Sequence, residues 1–140
     1  MKILVDTNVI IDVLEKREPF FQDSYNIIRL GLEGELETIM SAGAITDAYY
    51  IINKHLHDQN TAREKIFILG NLIKICKSTS DDVTGALILF IPDFEDAVIA
   101  AIAKREKANF IITRNDADFS NSPVPALSPS LFLRQFFPEY

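Results

Sequence analysis

The sequence predicts a single α/β domain over residues 1–140: a three-layer sandwich with a mainly parallel central sheet of four to five strands flanked by helices. Three observations carry that expectation. Short, continuously apolar runs such as Ile3-Leu4-Val5 and Phe110-Ile111-Ile112 suit strands covered on both faces. Segments with helical spacing separate the runs, as crossovers between parallel strands require. A chain of 140 residues, 48% apolar and 24% charged, can build one core and has no room for a second domain of ordinary size.

The elements follow in order. Ile3 to Val5 is the first strand, and Asp6 ends it. Thr7 or Asn8 caps a helix that turns Val9, Ile10, Val13 and Leu14 inward. Pro19 suits the first turn of a second helix, running through Tyr25, Ile28 and Leu32 to about Gly34. Leu36 to Met40 is a second strand and Ser41-Ala42-Gly43 a turn. A third helix from about Ala44 to His57 keeps Ile45, Ala48, Tyr49, Ile52 and Leu56 at helical spacing. Asp58-Gln59-Asn60 breaks it, and a fourth helix covers Thr61 to about Leu72. Ile73 to Ser78 is a third strand, and Asp81 to Leu89 a short helix. Asp93 caps the clearest helix, Phe94 to Lys107, whose stripe is Phe94, Ala97, Val98, Ala101 and Ile102. Phe110 to Thr113 is the fourth strand and Val124 to Leu127 a fifth. Ser128 and Pro129 open a terminal helix as cap and first residue.

The net charge of −6 excludes a protein that grips nucleic acid by a broad basic surface. It leaves room for an enzyme that meets nucleic acid at one small site, and for a basic partner. The lone Cys76 lies in an apolar run and reads as a small core residue. The start of the chain is too short in apolar residues for a signal peptide, and no run approaches the ~20 residues of a bilayer span. The expectation is a cytoplasmic protein without a membrane partner.

Ligands of open parallel sheets bind beyond the carboxyl ends of the strands. Asp6 stands at such an end, and Asn115, Asp116 and Asp118 follow another. Asp47 and Asp96 lie early in helices that follow a strand or turn. Each acid alone is explained by a favourable helix dipole, as Asp93, Asp81 and Asp82 are here. Together they are not. Two carboxylates ~5 Å apart repel by about 3 kcal/mol at an effective dielectric near 20. Several sharing a cleft call for a hard divalent cation, Mg²⁺ or Mn²⁺. His55 and His57 read as exposed residues of a helix end, so zinc is not indicated.

Four segments then resemble one family. Ile3-Leu4-Val5-Asp6-Thr7-Asn8-Val9 resembles the opening of PIN-domain proteins, and Thr46-Asp47-Ala48-Tyr49-Tyr50 their second acidic position. Asp93-Phe94-Glu95-Asp96-Ala97 is similar to the third acidic helix, and Thr113-Arg114-Asn115 with Asp118-Phe119 to the last motif. The family includes the toxin ribonucleases of the VapBC type. The resemblance implies a PIN-like fold and a Mg²⁺- or Mn²⁺-dependent endoribonuclease that leaves a 5′-phosphate and a 3′-hydroxyl on RNA. It also implies a homodimer and a small antitoxin protein as partner. Asp6, Asp47 and Asp96 would hold the metal, with Asn115, Asp116 or Asp118 completing the catalytic set. Thr7, Asn8, Ser41, Thr113 and Asn115 would support these acids, and Arg114, Lys54 and Lys104 would steer the RNA.

Many members carry Asp where this chain has Asn115. That departure keeps open a catalytically inactive PIN-like binding or scaffold domain. A dehalogenase-type phosphatase would want Asp at position 8, where Asn8 stands, and a receiver domain an acid pair near Asp6. Neither is present.

Overall fold

The structure is a computed structural model and describes residues 1–140. Its centre is a five-stranded sheet, every pairing parallel, in the order β3-β2-β1-β4-β5. The strands are β1 (Lys2–Val5), β2 (Glu37–Ser41), β3 (Lys74–Cys76), β4 (Phe110–Ile112) and β5 (Ala126–Leu127). β1 holds the middle: Ile3, Leu4 and Val5 are fully buried, Ile3 and Leu4 pair on both sides, and Val5 pairs with β4. Burying three such side chains contributes about 1.5–3 kcal/mol each.

Alternation along β1 divides the core. Ile3 and Val5 join Met40 and Ile112 on one face, under α1 (Thr7–Leu14), α2 (Phe21–Leu32), α3 (Ala42–Leu56), α4 (Gln59–Leu72) and α7 (Pro129–Phe136). Leu4 joins Ile39, Cys76 and Ile111 on the other, under α5 (Ser80–Ala86), α6 (Phe94–Arg105) and a short 3-10 helix, Asp116–Phe119. The three layers are therefore set by the two-residue period of the strands. Cys76 is buried in the second face, a core residue.

Several boundaries differ from those read in the sequence, each for a local reason. Ser41-Ala42-Gly43 is not a turn: β2 runs through Ser41, whose hydroxyl accepts from the Ala44 N–H and starts α3 at once. Asp58 accepts from the Asn60 and Thr61 N–H groups, so α4 begins at Gln59 rather than Thr61. Thr79 and Asp82 form a reciprocal capping box that starts α5 at Ser80. α2 begins at Phe21, after Pro19, and its buried side is Ser24, Ile27, Ile28 and Leu30, leaving Tyr25 and Leu32 exposed. Phe94 and Leu56 are likewise exposed, and α6 buries Ala97, Ile99, Ala100, Ile102 and Ala103 instead. β3 and β5 are shorter than expected because they are the sheet's outer edges. No helix is long and apolar enough to cross a membrane.

Candidate active site

Parallel strands bring β1, β2 and β4 to a common carboxyl edge, and the loops leaving that edge carry the acids. Asp6 follows β1 and is itself the N-cap of α1, a role the sequence suggested for Thr7 or Asn8. Its Oδ1 accepts from the Thr7 N–H at 2.8 Å and its Oδ2 from the Thr113 hydroxyl at 2.9 Å. Burial pushes its pKa up, and these two hydrogen bonds pull against that shift. The carboxylate is thus fixed in direction.

Thr113, fully buried just past β4, organises the neighbourhood. Its hydroxyl donates to Asp6 and accepts from Asn8 Nδ2 at 3.2 Å and from the Asn115 N–H at 3.1 Å. One donor and two acceptor positions are all that a hydroxyl has, and all are used. Asn8 Oδ1 also accepts from the Arg114 N–H at 3.1 Å. The start of α1 and the segment after β4 are therefore locked together.

The remaining acids arrive on two helices and one loop. Asp47 sits in the second turn of α3, which Ser41 anchors at the end of β2. Asp93 caps α6 by accepting from the Asp96 N–H at 3.0 Å, and Glu95 and Asp96 occupy the first turn. Asp118 comes from the 3-10 helix. Asp6, Asp47, Asp93, Glu95, Asp96 and Asp118 line one cleft of about 360 Å³ with Thr7, Asn8 and Asn115, and the sole cationic side chain there is Arg17.

Crowding shows in the protonation of this cleft. Glu95 is pushed up to about 7, first by its hydrogen bond to Asp47, then by burial and by the charges of Asp47, Asp6 and Asp93. Asp96 is pushed up to about 6 by burial and then by Asp6, Asp93 and Asp118. A divalent cation is the chemical remedy for such repulsion, and the donors present are all oxygens. No His or Cys lines the cleft, which does not suit zinc. No group of three acids is gathered tightly enough to form a ready-made protein cage.

Not every residue expected at the site is there. Asp116 opens the 3-10 helix but does not line the cleft, because that tight turn presents Asp118 instead. Ser41 belongs to an adjoining groove, where it caps α3. Lys54, late on α3, and Lys104, on the far face of α6, do not line it either. Arg114 is turned away: its Nε donates to the fully buried Asp12 at 2.6 Å, and its guanidinium lies 4.3 Å from the centre of the Phe20 ring.

Three polar lining residues have no assigned role in the sequence. Asp93 was read as a cap only, and it is a cap that also faces the cleft. Glu95 was read as an ordinary first-turn acid, although its place beside Asp96 was a usable signal. Arg17 gave none, since its approach depends on the turn after α1, where Lys16 adopts φ 50°.

Comparison with known proteins agrees with this architecture. The model of the PIN domain family matches residues 2–117. The chain is similar to Ribonuclease VapC1 of Aquifex aeolicus (strain VF5), 27% identical over 140 residues that cover 96% of this chain and 95% of the relative. Among solved structures it resembles VapBC2 from Rickettsia felis bound to a fragment of promoter DNA, with TM-score 0.74, 19% identity, and 91% and 98% of the two chains covered. It also resembles VapC20 of Mycobacterium tuberculosis, a toxin described as cleaving the sarcin-ricin loop, with TM-score 0.63, 16% identity, and 78% and 86% covered. A parallel sheet in this order, acids at its carboxyl edge, and a family match over most of the length lead to one conclusion: the chain belongs to the PIN domain family.

Proposed function

We propose that the protein is a Mg²⁺- or Mn²⁺-dependent endoribonuclease and the toxin of a toxin–antitoxin pair, acting in the cytoplasm as a homodimer that a small antitoxin protein holds in check. The observation that carries the enzymatic part is the single cleft lined by six carboxylates and one arginine. The similarity to a ribonuclease of the VapC type along nearly both full lengths supports the substrate class and the partner.

Asp6, Asp47 and Asp96 would hold the metal, directly or through water, and Asp118 would add charge beside the amide of Asn115. Asp118, lining the same cleft as Asn115, supports an active site over an inactive scaffold domain. A bound Mg²⁺ or Mn²⁺ supplies Lewis acidity toward a phosphodiester oxygen and a lowered pKa for an attacking water. The Thr7 N–H and the Thr113 hydroxyl keep Asp6 aimed, so little reorganisation accompanies substrate binding. Glu95, next to Asp47 and Asp96, takes the proton of the attacking water. The water oxygen bonds to phosphorus, the bond to O3′ breaks, and the departing oxygen takes up a proton, leaving a 5′-phosphate and a 3′-hydroxyl. Arg17 orients a neighbouring backbone phosphate from the rim.

The test is cleavage of a structured RNA in Mn²⁺ by the parent protein, Asp6→Asn and Asp96→Asn, with a chelated control. Each substitution and the chelator are expected to slow cleavage by about two orders of magnitude, the usual cost of removing one preorganised charge-stabilising group. Cleavage by Asp96→Asn at the parental rate would remove these carboxylates from the mechanism.

A further inference from the structure

Beside the acidic cleft lies a second, smaller cavity of about 130 Å³, lined among others by Phe20, Asp23, Ser24, Arg114, Ser128 and Ser130. Two short chain segments run from the wall of one hollow to the wall of the other. One is the turn from Arg17 to Phe20, closed by the Phe20 N–H donating to the Arg17 carbonyl at 3.0 Å, with Arg17 in the cleft and Phe20 in the cavity. The other is the step from Arg114 to Asn115, with Arg114 in the cavity and Asn115 in the cleft. The cleft and the cavity are therefore neighbours along the chain at both places.

The chemistry of the cavity is that of a base rather than a phosphate. Arg114 is its cation, but the buried Asp12 already pairs with it at 2.6 Å, and Asp23 brings a further negative charge. A phosphate would meet no net positive charge there. A flat ring would find more: Phe20 is 42% exposed and already stacked with Arg114, so a base extends an existing stack. Ser24, fully buried, forms part of the cavity's floor. Ser128 and Ser130 add two more hydroxyls at the start of α7, 3.3 Å apart.

We infer that this cavity is a base-recognition subsite, in which an unpaired guanine of the RNA stacks on the Phe20–Arg114 pair and is read by Asp23 and the serine hydroxyls. Guanine is the base that offers two adjacent N–H donors, N1–H and the N2 amino group, to one carboxylate. Hydroxyls donate or accept as needed and suit its O6 and N7. The subsite makes the enzyme selective for a guanine within a nucleotide or two of the cut bond. This inference rests on the ribonuclease reading, yet its binding chemistry is measurable without turnover.

Two measurements on the full-length protein test it. In the first, guanosine, adenosine, cytidine and uridine are titrated separately against isotope-labelled protein, following the backbone amides of Ser24, Arg114 and Ser130. Guanosine is expected to shift these amides at concentrations about tenfold below the others. Asp23→Asn is expected to erase that margin, as loss of a charge-assisted hydrogen bond does, and Phe20→Ala to weaken all four nucleosides about tenfold. Equal response to the four nucleosides, or none, overturns the subsite. In the second, cut sites in a randomised RNA are mapped for the parent and Asp23→Asn. Loss of a guanine preference in the variant supports the proposal, and an unchanged preference overturns it. Guanosine binding without any RNA cleavage would leave the subsite standing and remove the ribonuclease reading instead.

Discussion

Two acidic regions of this molecule treat the same functional group in opposite ways. On the far face, Asp82 is almost wholly buried and receives Arg105 Nε at 2.8 Å on one oxygen and Arg105 Nη2 at 3.0 Å on the other. The Thr79 N–H adds a third hydrogen bond at 2.7 Å. Burial alone would push Asp82 up, but the bonds from Arg105 and Thr79 outweigh it and hold the pKa below the ordinary carboxylate range. In the cleft, Glu95 and Asp96 are pushed up to about 7 and about 6, with no comparable cation paired to them. A carboxylate that folding has already neutralised is architecture. One that folding leaves crowded keeps an unmet demand for positive charge.

The largest test of that contrast is a matched pair of substitutions. Asp82→Asn is expected to lower stability by about 3 kcal/mol, because it leaves Arg105 without its buried partner. Asp96→Asn, measured without metal near neutral pH, is expected to raise stability, because it removes one of several mutually repelling charges. Denaturant titration of both variants reads the difference, and destabilisation by both would erase the distinction between the regions.

Next in size is Thr113→Val, which keeps the shape and removes the hydroxyl. Asp6 loses a donor, and Asn8 and the Asn115 N–H lose an acceptor. Stability is expected to fall by about 1–2 kcal/mol and cleavage about tenfold, as for groups that orient metal-binding carboxylates. Thr113→Ser, which retains the hydroxyl, is expected to restore most of both losses. Equal damage from Ser and Val would assign the effect to packing alone.

The smallest effect sharpens the comparison through pH. In the unfolded chain Glu95 and Asp96 lose their protons near 4.5 and 3.8, whereas in the fold they retain them to about 7 and about 6. Between those values the folded protein binds more protons, so stability falls as pH rises through that window. Asp82 runs the other way: its stabilising effect is full above the unfolded value near 3.8 and is lost only as pH drops through its lower folded value. The metal-free protein should therefore melt a few degrees higher at pH 5.5 than at pH 8, the shift that about 1 kcal/mol produces in a domain of this size. Mn²⁺ at pH 8 should recover that difference. A melting temperature unmoved by both pH and Mn²⁺ would mean that the cleft acids are not strained.

The parts of this arrangement visible beforehand were those that strand ends dictate. Asp6 and Asn115 follow apolar runs directly, and such positions map onto the carboxyl edge of a parallel sheet whatever the helices do. The helical acids Asp47 and Asp96 could be placed because they follow β2 and open the most apolar helix. Arg114 stands outside the cleft because its partner is hidden: Asp12 stands in the run Val9-Ile10-Ile11-Asp12-Val13 and reads as the polar edge of a helix, yet it is fully buried. Asp116 and Asp118 are two residues apart, and only the tightness of the 3-10 turn decides which one faces the cleft. Arg17 was out of reach, since a left-handed residue at Lys16 precedes it with no glycine to mark the turn. The exposed Tyr25 and Leu32 show the same limit, because the seating of α2 against its neighbouring helices, not spacing alone, chose its inner side.

The hydrogen bond between Asp6 and Thr113 joins residues 107 positions apart. During synthesis the first acid of the site emerges early, but the hydroxyl that aims it leaves the ribosome only after β4 has been made and can dock beside β1. Until then the chain has neither the fourth wall of its pocket nor a fixed Asp6. The order of synthesis thus leaves the aiming of Asp6 to the moment when the two distant ends of this span meet.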